Sequence, residues 1–89
     1  MKTENIFKKE INKMNTCKIK LSSIQDVREF VEIVCKFDHD IDLSSGRYVV
    51  DAKSIMGIFS LDLMNPIALT VHADDASEIF SKLDKFIVK

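Results

Sequence analysis

Long apolar runs, metal-ligand spacings and any excess of one charge are all missing from this 89-residue chain, and each absence removes a class of function. No segment approaches the roughly 20 apolar residues of a membrane span, and "MKTENIFKKEINKMN" has no continuous stretch of signal-peptide length. No membrane association is expected, and the expected location is cytoplasmic. The 13 basic and 14 acidic residues leave a formal net charge of −1, so nothing draws the chain as a whole to phosphate backbones. Nucleic acid is excluded as the expected partner. The two cysteines, Cys17 and Cys35, lack CxxC or Cys/His spacing, so neither a metal nor a cofactor is expected, and two buried thiols are the expected reading. No repeat, linker or low-complexity segment interrupts the chain. At this length one domain forms one core without disulfides or a structural metal.

What is present is a sequence of short, well-punctuated elements. In "CKIKLSS" the residues Cys17, Ile19 and Leu21 alternate with Lys18, Lys20 and Ser22, the period of a strand with one wet face. In "IQDVREFVEIVCKF" the residues Ile24, Val27, Phe30, Val31 and Val34 make one helical stripe, which either Ser22 or Ser23 can cap through S-x-x-Q or S-x-x-D. "HDIDLSSGRYVVDA" alternates on both sides of "SSG", a hairpin with Gly46 in its turn. A short apolar helix follows from Ser54. The single proline, Pro66, opens "IALTVHA", a strand position that tolerates it. The chain closes on a helix with Ala76, Ile79, Phe80, Leu83, Phe86 and Ile87 on one stripe and Asp74 and Asp75 at its start, where the helix dipole favours negative charge.

The predicted order is β-α-β-β-α-β-α, an α+β open-faced β-sandwich: a four-stranded antiparallel sheet with three helices on one face. Residues 1–15 read as an N-terminal extension and 16–89 as the domain. Within the extension Ile6, Phe7, Ile11 and Met14 fall near helical spacing among Lys8, Lys9 and Lys13. The expectation is an amphipathic segment packed on the domain or on a second copy, with a fully solvated tail as the alternative.

Through "EFVEIVCKFDHDI", the hairpin and "DAKSIMGIFSLDL", the chain resembles the HPr family, the histidine-containing phosphocarriers of the bacterial phosphoenolpyruvate:sugar phosphotransferase system. The resemblance covers about residues 17–87 and implies the HPr-like fold. It also implies a histidine in the loop before the first helix, followed by an arginine and a proline, where a phosphoryl group is carried as a phosphoramidate. Here only "SSIQD" follows Leu21, with no His, Arg or Pro; the first arginine, Arg28, lies about a turn inside the helix. The phosphoacceptor histidine is therefore read as missing. No catalytic residue is assigned, and the protein is not expected to be an enzyme.

Three other positions remain. His72 alternates out of phase with Leu69 and Val71 and reads as a wet strand residue. His39, between Asp38 and Asp40, reads as part of a solvated cluster rather than a metal ligand. Ser54 can cap the short helix, be a phosphorylation site, or do both. The resemblance implies a serine kinase acting there and a signal to a transcription regulator, while capping alone is worth about 1 kcal/mol. Behind it, Ile55, Met56 and Phe59 offer more apolar area than a short helix buries, a possible partner-docking patch.

Three functions follow. The leading one is a regulatory or protein-binding module, able to meet a phosphotransferase-system component, the kinase or the regulator. An active phosphocarrier using His39 is the second, and a structural or homo-oligomerising domain is the third.

Overall fold

The computed structural model describes residues 15–88, and the amphipathic pattern of the extension lies outside them. The elements run β1 (Thr16–Ile19), α1 (Ile24–Val34), β2 (Asp40–Ser45), β3 (Tyr48–Asp51), α2 (Ile55–Phe59), β4 (Ile67–His72) and α3 (Ser77–Lys82), followed by a 3₁₀ turn at Asp84–Phe86. The strands form one antiparallel sheet in the order β1-β4-β2-β3. This is the four-stranded open sheet with three helices that the patterning predicts.

The register explains which side is covered. Cys17 lies across from Leu69, Leu69 across from Leu43, and Leu43 across from Val50, so one row of the inner face crosses all four strands. Residues directly opposite in an antiparallel ladder share a face, and Leu69 and Leu43 are buried, so this row is the floor of the core. Val27, Phe30, Val31 and Val34 of α1, Ile58 of α2 and Ile79 of α3 are buried in the same core. Phe30 and Phe86 meet edge to face with ring centroids 6.0 Å apart, linking α1 to the C-terminal turn.

Several expectations change. Ile24, assigned to the buried stripe of α1, is 66% exposed at the first residue of the helix, whereas Val27, Phe30, Val31 and Val34 of the same stripe are buried. Cys17 packs half-buried against the core, and burial raises its thiol pKa, whereas Cys35 is exposed at the C-cap of α1. The reading of two buried thiols thus holds only in part for Cys17 and fails for Cys35.

The final helix is also shorter than its stripe. After Lys82 the chain tightens into the 3₁₀ turn and then extends, with Ile87 bridging to Ile19 and the Val88 N–H donating to the Lys18 carbonyl at 2.9 Å. Pairing with the edge of β1 competes with helix propagation and takes the last residues. The N-cap of α3 is Ala76, which offers no side-chain bond; just before it the Asp75 carboxylate accepts from the Ser77 hydroxyl at 2.6 Å and the Ser77 N–H at 2.9 Å, and these bonds lower its carboxyl pKa.

Candidate functional site

Helices α1 and α2 both start from serine caps. At α1 the N-cap is Ser23, whose Oγ accepts from the Asp26 N–H at 3.1 Å; the Asp26 carboxylate in return accepts from the Ser22 N–H at 3.0 Å. Ser22 thus takes part through its backbone and not as the cap. At α2 the N-cap is Ser54, whose Oγ accepts from the Gly57 N–H at 3.1 Å. A Cβ on Gly57 would stand 3.2 Å from the Val50 Cβ and 3.3 Å from the Ser54 Oγ, so glycine lets the first turn of α2 settle onto β3 around its own cap.

The two helices lie side by side in opposite directions. Ile55, at the start of α2, lines a shallow depression with Gln25, Arg28 and Glu32 of α1. Phe59, at the end of α2, shares a groove of about 520 Å³ with Ser22, Ser23 and Ile24, and Leu63 and Met64 form its far wall. Lys20 ties this wall in place, its ammonium donating to the carbonyls of Leu63 at 2.9 Å and Met64 at 2.8 Å. Ile24, Phe59 and Met64 line this groove and are exposed, Met64 at 84%, and Ile55 and Met56, on the same helix as Phe59, are exposed too, Met56 at 80%. The sequence-level patch of Ile55, Met56 and Phe59 therefore continues into Ile24 and Met64. Ile24 was hidden by its fit to the core stripe, and Met64 by its place in the "MNP" break.

Neither histidine reaches this region. The loop entering α1 follows Ile19, which lies opposite Ile67 at the start of β4. His72 ends β4 five residues further on, about 17 Å along the strand, and His39 immediately precedes Asp40, the residue paired with His72. Both imidazoles thus belong to the opposite end of the sheet. His72 is exposed on the outer face, with its Nε2 2.7 Å from the Asp42 Oδ2. Among the described residues, no group of three or more His, Cys, Asp or Glu could hold a metal ion. No helix among them is long and apolar enough to cross a membrane.

Comparison with known proteins matches residues 24–89 to the family described as the phosphotransferase-system HPr component phosphorylation site. The chain is similar to HPr-C-His from Thermoanaerobacter tengcongensis at 33% identity and a TM-score of 0.65, covering 79% of this chain and 84% of that one. It is similar to the phosphocarrier protein HPr of Bacillus anthracis at 27% identity and a TM-score of 0.63, over 82% and 95% of the two chains. An HPr dimer from T. tengcongensis is 32% identical with a TM-score of 0.59, over 96% and 91%. With the fold, the strand order and the match over most of its length in agreement, the chain belongs to the HPr family of phosphotransferase-system phosphocarriers.

Proposed function

We propose that this protein is a regulatory, protein-binding member of the HPr family that does not carry a phosphoryl group on histidine. The observation that supports this most strongly is the pairing of an exposed apolar face with an α1 N-terminus that has no imidazole beside it. In phosphohistidine transfer the ring nitrogen must attack the donor phosphorus next to groups that hold the anion. Here a serine occupies the cap, and a serine phosphate ester lacks the transfer potential of a phosphoramidate. His39 is a poor substitute, because it lies at the far end of the sheet from the capped helix and the groove.

The retained role is recognition. Ile24, Ile55, Met56, Phe59 and Met64 form an apolar face suited to a protein partner, and methionine adapts to partners of different shape. Ser54 borders that face at the N-terminus of α2, half-buried and already bonded to a backbone N–H. A phosphate there adds negative charge where the helix end favours it, beside an otherwise apolar docking surface. The partners in view are a phosphotransferase-system component, a serine kinase or a transcription regulator, in the cytoplasm, and no enzymatic activity is assigned.

The test is phosphorylation by the system's serine kinase with ATP, followed by intact mass. The expected result is one acid-stable phosphate, abolished by Ser54→Ala and much reduced by Met56→Asp, which charges the docking face without touching the acceptor. Unchanged phosphorylation of Ser54→Ala would remove Ser54 from the account; unchanged phosphorylation of Met56→Asp would remove the apolar face from kinase docking.

A further inference from the structure

The two edges of the sheet are treated differently. The β1 edge is occupied by the C-terminal residues, through Lys20 N–H to Phe86 O at 2.8 Å and Val88 N–H to Lys18 O at 2.9 Å. The β3 edge has no strand beside it among the described residues. Strand β3 is short and its one charge is Asp51; Tyr48–Asp51 contains no proline or lysine, and Tyr48 and Val49 are 70% and 64% exposed.

The hairpin decides which backbone groups face outwards. Ser45 and Tyr48 flank a two-residue turn and form the closing hydrogen-bonded pair, so hydrogen bonding to β2 recurs at every second residue of β3. The Ala52 N–H donating to the Ile41 carbonyl at 2.8 Å fixes the same parity. Tyr48, Val50 and Ala52 therefore direct their peptide groups to β2. The N–H and C=O of Val49 and the N–H of Asp51 are left pointing off the edge.

The geometry points to antiparallel pairing of β3 with β3 of a second copy of this chain, about a two-fold axis centred on Val49. This register sets Val49 opposite Val49, exchanging their free N–H and C=O groups, and sets Arg47 opposite Asp51 twice by symmetry. Arg47 forms no ion pair among the described residues, and the Asp51 carboxylate accepts only from the Lys53 N–H, at 2.9 Å. Each copy thus supplies both members of a reciprocal charge pair. Shifting the centre to Val50 keeps the backbone pairing but sets Arg47 opposite Lys53 and Val49 opposite Asp51, so charge selects the Val49 register. On the covered side, Tyr48 meets Val50 of the partner, an aromatic to β-branched pair that favours sheet formation. So short an edge buries less than the roughly 1,200 Å² of a standard interface, which makes the dimer reversible and dependent on concentration.

The test is sedimentation equilibrium of the full chain from about 10 μM to about 1 mM, with Arg47→Glu, Asp51→Lys and Val49→Lys compared, each checked for the native circular dichroism spectrum. Wild type is expected to pass from monomer to dimer across this range. Arg47→Glu and Val49→Lys should weaken association about tenfold or more. An equimolar mixture of Arg47→Glu and Asp51→Lys should recover it, because the swapped charges again face opposites. If Asp51→Lys loses its fold with the Lys53 contact, the other two variants decide. A wild-type monomer at about 1 mM would overturn the proposal, as would wild-type association of Arg47→Glu. So would association lost on deleting residues 1–14 but kept in Val49→Lys, which would assign it to the extension.

Discussion

Two serines hold the helix ends that frame the candidate site, and their effects should separate cleanly from that of their neighbour. Ser23 and Ser54 each satisfy a backbone N–H that the helix cannot pair internally, so Ser23→Ala and Ser54→Ala should each cost about 1 kcal/mol in denaturant unfolding. Ser54→Asp should recover most of that loss, since aspartate caps equally well. Ser22→Ala should lie within about 0.5 kcal/mol of wild type, because only its main chain is engaged. A loss at Ser22 equal to that at Ser23 would contradict the cap assignment. The pair of overlapping S-x-x-Q and S-x-x-D patterns left both serines open in the sequence; only the backbone placed the cap. Exposure at Ile24 and Cys35 was similarly illegible, because periodicity describes a whole helix and fails at its ends, where these two residues stand.

At the scale of elements, the short segment after α2 does the most to shape the groove. Leu63 and Met64 have no regular secondary structure to fix them, and two of their carbonyls are held by the Lys20 ammonium. Lys20→Met keeps the aliphatic stem and removes the charge-assisted donor, so it should destabilise the fold by about 1 kcal/mol or more. Amide exchange should rise at 61–65 before it rises in α1. Uniform loosening of α1 and the 61–65 segment would show that Lys20 supports the core and not this wall. Strand alternation was fully legible in the sequence, since a half-covered antiparallel sheet writes its facing into every second residue. The last helix was not, because Ile87 and Val88 fit a helical stripe while their backbone groups complete the β1 edge.

For the whole molecule, the fold is that of a phosphocarrier family, and the loop entering α1 contains no histidine. The sheet separates the two ends: the capped α1 N-terminus and its apolar groove at one, His39 and His72 at the other. That "SSIQD" holds no histidine is plain in the sequence, but the separation of His39 and His72 from that loop needed the strand register. That separation makes the proposal testable in one step. The protein is incubated with phosphoenolpyruvate and the system's first enzyme, beside an active HPr as control, and examined by ³¹P NMR at mildly basic pH, where phosphoramidates persist. The account predicts a phosphohistidine resonance from the control alone. A phosphohistidine resonance from this protein, lost in His39→Ala or His72→Ala, would contradict it and return the chain to the working phosphocarriers.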